Sequence, residues 1–107
     1  MILVLGNITA SPARFPEALA LSQAHVRRAR GVPGCISHAV HIDSDDPLRL
    51  VFIERWADQD SISAHVNSPE TRAFVKALAA CVVSGTPTEF FEAHPIQRPP
   101  RKAAVAP

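Results

Sequence analysis

Residues 48–65, LRLVFIERWADQDSISAH, constrain the fold more than any other part of the chain. Leu48, Leu50, Phe52, Glu54 and Trp56 alternate with Arg49, Val51, Ile53 and Arg55, which is the period of a strand. Between Leu50 and Ile53 both faces are apolar, so protein has to cover the sheet on both sides here. Ala57-Asp58 breaks the alternation. Asp58 is placed to cap a helix, and Ile62 and Val66 fall four apart on a short one. The strand therefore ends with Glu54 and Trp56 on one face, and His65 follows one helix later.

The flanking segments supply the cover. Residues 1–8 read as a first strand, with Ile2, Val4 and Ile8 on one face and Leu3, Leu5 and Asn7 on the other. Pro16 lacks an N–H, so the next helix caps no earlier than about Ala13. Its buried stripe is Phe15, Leu19, Ser22, Val26 and Ala29. Arg27, Arg28 and Arg30 suit its C-terminal end, Gly31 is a natural terminator and Pro33 forbids continuation. Residues 35–43, CISHAVHID, form a second strand with Ile36, His38, Val40 and Ile42 on one face. The turn-forming cluster at 44–47 joins it to the third strand as an antiparallel hairpin. Ser68 caps a helix with Pro69 at its first position. That helix is expected to bury Thr71, Phe74, Val75, Leu78 and Val82 and to end at Ser84-Gly85. A fourth strand over 86–95 alternates Thr88, Phe90, Glu92 and His94 against Glu89, Phe91 and Ala93.

The order β-α-β-β-α-β, with one extra short helix, is an α+β ferredoxin-like arrangement. It occupies residues 1–96 as one domain, and 97–107 is a proline-rich tail, ordered only where it docks. Two helices cover one face of the four-stranded antiparallel sheet. The other face carries Leu3, Leu5, Val51, Ile53 and Phe91, or the alternate set, and needs its own cover. A second copy packed sheet to sheet supplies it, so the expected state is a homodimer. The net charge of +1 gives no electrostatic case for nucleic acid or an anionic membrane as partner. No apolar run approaches the roughly 18 residues of a membrane span. The opening MILVLGNITA has no basic segment and reads as strand rather than signal peptide. Cys35 and Cys81 make no disulfide framework and no metal-ligand spacing, so reduced thiols in a cytoplasmic protein are expected.

Pro33-Gly34-Cys35, Asp46-Pro47, Glu54-Arg55-Trp56 and Ala64-His65 together resemble the antibiotic biosynthesis monooxygenase (ABM) family over about residues 1–95. The resemblance implies a dimeric α+β barrel. Some members of that family oxidise polycyclic phenols or quinols with dioxygen and use no metal or flavin. The resemblance thus implies a cofactor-independent monooxygenase, an oxidoreductase acting on a small aromatic substrate. Such chemistry needs a base, donors for an oxyanion and a water-poor pocket. Other members degrade haem or take part in quinone metabolism, and fold alone does not choose among them. The haem-degrading pattern has a strand asparagine, matched by Asn7, followed by a helical tryptophan and histidine. Those two positions fall near His65 and Phe74-Val75, so that reading is disfavoured. The chain has no tyrosine, which removes any mechanism that relies on a phenol side chain.

The resemblance and the pattern single out His65 as base or oxyanion donor, because imidazole titrates near neutral pH. Its plainer role is to fix the short helix through a backbone carbonyl. Trp56 is placed to stack on a planar substrate or simply to fill the core. Asn7 donates to an oxyanion or caps the strand end. Those three are the candidate catalytic residues. His38 is the cavity-side histidine of the second strand, with His41 on the opposite face, and Arg72, Phe74 and Phe91 complete the substrate-binding set. Glu54 is expected to pair with neighbours of Arg55 or with a helix end. No metal pattern links His38 or His41 to His65, and neither cysteine has a base or cationic cluster beside it in the sequence. The rival functions are a non-catalytic dimeric barrel that binds a small aromatic metabolite, and a dimer kept for assembly with other proteins.

Overall fold

A computed structural model of the chain describes residues 1–102. Strand β1 (Ile2–Ala10) leads through a 3-10 turn (Pro12–Arg14) into α1 (Phe15–Ala29). Then come β2 (Cys35–Ile42), β3 (Arg49–Trp56), α2 (Gln59–Val66), α3 (Pro69–Ala79) and β4 (Val82–Glu92). The sheet order is β2-β3-β1-β4, and every pair is antiparallel. This is the expected ferredoxin-like α+β fold. The tail from Ala93 to Lys102 has no regular structure, and tail positions 103–107 lie outside the described residues. Among the described residues, no helix is long and apolar enough to cross a membrane.

Register decides which face is which. Ile8 pairs with Leu50 and Gly6 with Phe52, while Val40 faces Phe52 and His38 faces Glu54 across the hairpin. These even positions turn towards the helices. Leu50, Phe52, Ala10, Val26, Leu78 and Cys81 are buried there as the main core, and Ile2, Val4, Trp56 and Ile62 form a second cluster beside it. The odd set, Leu3, Leu5, Val51, Ile53 and Phe91, lies on the other face, with Ile53 38% and Phe91 42% exposed. The helices cover one of the two apolar faces and leave the other bare in the single chain.

The caps follow the sequence. Asp58 accepts from the Ser61 N–H at 2.8 Å to start α2, and Ser68 accepts from the Thr71 N–H at 3.2 Å to start α3. Three boundaries differ from expectation. Gly31 has no positive φ: α1 ends on a tightened turn in which the Gly31 and Val32 N–H groups bond Arg28 and Ala29 carbonyls. The left-handed glycine is Gly34 (φ 86°), after Pro33 in a turn closed by the Cys35 N–H onto the Val32 carbonyl at 3.1 Å. The Gly34 carbonyl also accepts from Ala57 at 2.8 Å, and a Cβ there would collide with Ser61. This turn therefore fits only glycine and pins the start of α2.

The third difference concerns α3, which ends at Ala79 rather than at Ser84-Gly85. Cys81 bonds back to Leu78 at 2.8 Å, and its carbonyl accepts from Ser11 at 2.9 Å, which turns the chain into β4. Val82 is thus a strand residue, and Val75 is 58% exposed rather than core. Ser84 and Gly85 pair with Thr9 and Ile8, and a Cβ on Gly85 would come 3.0 Å from the Asn7 carbonyl. Pro87 falls where the β1–β4 register shifts between Leu5 and Asn7, on an edge strand that tolerates the missing donor.

Candidate functional site

Three elements deliver a histidine to one place. His25 comes from the buried face of α1, His38 from the middle of β2 and His65 from the last turn of α2. All three are buried, and each offers a ring nitrogen within 4.8 Å of the others. Beneath them β3 contributes Glu54 and Trp56. The Trp56 indole N–H donates to Glu54 Oε1 at 3.0 Å, and His38 Nε2 lies 3.1 Å from that same oxygen, poorly aligned for a hydrogen bond. Trp56 is fully buried and stacks on His65 with ring centres 4.6 Å apart. His25 lies flat on Phe74 at 3.9 Å, and the Arg28 guanidinium donates to its Nδ1 at 2.8 Å. The Thr71 hydroxyl makes a long 3.5 Å contact with His65 Nδ1.

Burial sets the electrostatics. Desolvation, reinforced by His38, His65 and Arg28 nearby, pushes His25 down to about 3. His65 is lowered as well, first by desolvation; Glu54 opposes the shift, and His38 and Arg28 add to it. Desolvation alone would raise Glu54, but His38 and the Trp56 indole outweigh it and hold the carboxyl below its usual range. At neutral pH the floor of the site thus holds neutral imidazoles at His25 and His65 above a carboxylate.

These groups face a cavity of about 800 Å³ between the sheet and α1, α2 and α3. Its walls are mainly apolar, with Val4, Ile8, Phe52, Phe74, Leu78 and Phe90 prominent. Of the residues singled out by sequence, His65, His38, Asn7, Arg72 and Phe74 border this cavity. The Asn7 amide is engaged with the Thr86 hydroxyl at 2.7 Å. Trp56 lies behind His65 and takes no part in the cavity wall, so its contact is with the histidine rather than with a ligand. Phe91 borders a separate hollow of about 360 Å³ with Ile2, Ile62 and Val66. Glu54 pairs within its own face, with His38 and with Trp56, the residue that follows Arg55, and not with a helix end.

Sequence reasoning overlooked His25, Arg28 and Thr71 as site residues. The signal for His25 was present: positions 22, 25, 26 and 29 share the buried face of α1. Sequence spacing also gave no reason to join His38 to His65, yet a sheet register and a helix packing bring them side by side.

A ferredoxin-like α+β domain with a titratable cluster at the floor of an apolar cavity is the frame of a small-molecule site. The model of the antibiotic biosynthesis monooxygenase family matches residues 1–77, and the chain belongs to that family. An uncharacterised protein of Synechocystis sp. is 33% identical over 75 residues, which are 70% of this chain and 51% of the relative. The chain thus spans about half the length of that relative. A crystal structure of an antibiotic biosynthesis monooxygenase superposes with TM-score 0.80 at 26% identity, covering 89% of this chain and 100% of the other. A conserved protein of Methanosarcina mazei Go1 (TM-score 0.81, 22% identity, 87% and 92% covered) shares the fold. So does a structure from Deinococcus radiodurans (TM-score 0.86, 20% identity, 92% and 97% covered).

Proposed function

We propose that this chain is a cofactor-independent monooxygenase that oxidises a quinol or polycyclic phenol with dioxygen, as a homodimer packed through the bare sheet face. The observation that carries the reading is His65: a cavity-lining imidazole backed by Trp56 and Glu54 in an otherwise apolar chamber. A chamber of about 800 Å³ suits a ligand of two or three fused rings.

His65 takes a proton from the substrate. The imidazolium that results lies against the Trp56 ring and near the Glu54 carboxylate, both of which favour positive charge. The electron-rich carbanion or phenolate then adds dioxygen, forming a C–O bond and a peroxide anion that takes the proton back from His65 to become a hydroperoxide. Loss of water breaks the O–O bond and leaves a carbonyl. For a benzylic CH₂ the balance is CH₂ + O₂ → C=O + H₂O, so the substrate supplies all the electrons. Arg72 and Lys76, both exposed at the cavity, are cations available to an anionic oxygen. The apolar walls lower the polarity around the reacting centre.

Oxygen uptake by metal-stripped protein against anthrones and naphthohydroquinones tests this. Uptake above the spontaneous rate, lost in His65→Ala with the melting temperature nearly unchanged, supports the proposal. Binding of the same compounds with no uptake overturns it in favour of a dimeric binding module. An equal loss of activity and stability in His65→Ala assigns the histidine to the fold instead.

A further inference from the structure

The three imidazoles can do more than move a proton. We propose that His25, His38 and His65 form a binding site for a late first-row divalent metal ion of the zinc type, with its open coordination position facing the cavity. The site goes beyond the oxygenase reading, and neither depends on the other.

Each buried polar nitrogen needs a partner, and this cluster is short of them. His38 is 2% exposed, and neither of its ring nitrogens has a well-aligned hydrogen-bond partner. A metal ion satisfies such a group. Two of the three rings stand beside a group of the kind that orients a metal ligand, a carboxylate or hydroxyl near the far nitrogen, although neither contact is a well-formed hydrogen bond. Glu54 stands 3.1 Å from His38 Nε2, which leaves Nδ1 as donor, and Thr71 stands at His65 Nδ1, which leaves Nε2. Three imidazole ligands without a thiolate suit zinc, cobalt, nickel or copper and not magnesium or calcium.

Geometry asks for a modest closure. Zinc–nitrogen bonds of roughly 2.0–2.1 Å in a tetrahedron separate the nitrogens by about 3.3 Å. The three rings, with nitrogens within 4.8 Å of one another, approach this by ring rotation. One contact opposes binding. Arg28 donates to His25 Nδ1, so the metal-free His25 carries its proton on Nε2. Ligation through Nε2 moves that proton to Nδ1, where Arg28 cannot accept it. The exposed Arg28 side chain must then swing away, taking an unfavourable positive charge with it. Arg28 is in effect a competitor of the metal. A metallated His65 also has no lone pair left to accept a proton, so bound zinc would inhibit the oxygenase.

The test is a cobalt(II) titration of tag-free, metal-stripped protein, followed by zinc displacement. One equivalent of cobalt is expected to give the visible absorption of a four-coordinate site with nitrogen ligands, which zinc abolishes. His25→Gln and His65→Gln should each weaken binding at least ~100-fold, beyond the tenfold to 100-fold typical of losing an outer-layer partner. Arg28→Gln, with the fold checked by far-ultraviolet dichroism, should tighten binding several-fold. His41→Gln and His94→Gln, which remove exposed histidines, should leave it unchanged. The proposal is overturned by wild-type protein that gives no such spectrum. Binding that survives in folded His25→Gln and His65→Gln, or that disappears with His41 or His94, also overturns it. Because the readout is optical, failure here is separate from failure of the oxygen-uptake assay.

Discussion

Replacing Trp56 by phenylalanine probes the support beneath the site. The indole is fully buried and gives Glu54 its best-formed hydrogen bond, at 3.0 Å. A hydrogen bond to a charged acceptor contributes about 1.5–3 kcal/mol. The smaller ring also leaves unfilled volume under His65, which costs about 1 kcal/mol more. Trp56→Phe should therefore lose about 2.5–4 kcal/mol, which for a domain of this size lowers the melting temperature by about 10 °C or more. Urea unfolding at fixed protein concentration measures the loss, and an unchanged m value shows that the same structure unfolds. Glu54→Gln keeps an acceptor oxygen but no charge, so the double variant should cost less than the sum of the two singles. A loss under about 1 kcal/mol, or strict additivity, would refute the claim that the Trp56–Glu54 bond anchors this floor.

Acid should destabilise the metal-free protein through His25. Its folded pKa of about 3 lies below the unfolded value of 6.5, so the unfolded chain binds more protons in that window and stability falls as pH drops through it. The slope is at most about 1.4 kcal/mol per pH unit from this group, and His25→Gln should flatten it in a pH series of urea melts. Ile53→Lys, in the middle of the bare sheet face, should shift a dimer to monomer in light scattering without changing the far-ultraviolet dichroism. An unchanged mass would rule out that face as the interface. Gly34→Ala should destabilise by about 1–3 kcal/mol from backbone strain, with the Ser61 collision adding to it. A neutral result in thermal melts would sink the assignment of that turn.

The fold was legible because its signals are local. Period-two alternation fixed β3, Asp58 and Ser68 announced their helices, and Pro16 delayed α1 to a start that the structure places at Phe15. The α3–β4 boundary was not legible, because Val82 continues a helical spacing from Leu78 and it is tertiary contacts, the bond from Ser11 to Cys81 and the pairing of Val82 with Ala10, that draw the chain into the strand. The site divides the same way. His65 and Glu54-Arg55-Trp56 stood out as a pattern, whereas His25 lies about 40 residues from His65 and meets it only because α1 and α2 pack on the same sheet face. Sequence spacing reports neighbours along an element. A cluster drawn from α1, β2, β3 and α2 has no spacing to report.

The distribution of polarity in the cavity argues for how a ligand would lie. Its histidines and its carboxylate gather in one place, where His25, His38, His65 and Glu54 meet, while Phe52, Phe74 and Phe90 stand among the apolar wall residues. A molecule polar at one edge and aromatic across its rings would place its hydroxyl on the imidazoles, because the reverse pose strands a buried polar group against phenyl rings. Under the proposed reaction, that orientation would bring the acidic edge of a quinol or a tricyclic phenol to His65. Selectivity among such substrates then falls to the wall. Enlarging it with Phe74→Leu should broaden the range of bound aromatics; it also removes the ring stacked on His25, while the Trp56–His65 stack stays in place. If binding of a quinol and of its dimethyl ether proved equally tight, the polar floor would not orient the ligand and the pose argued here would fail.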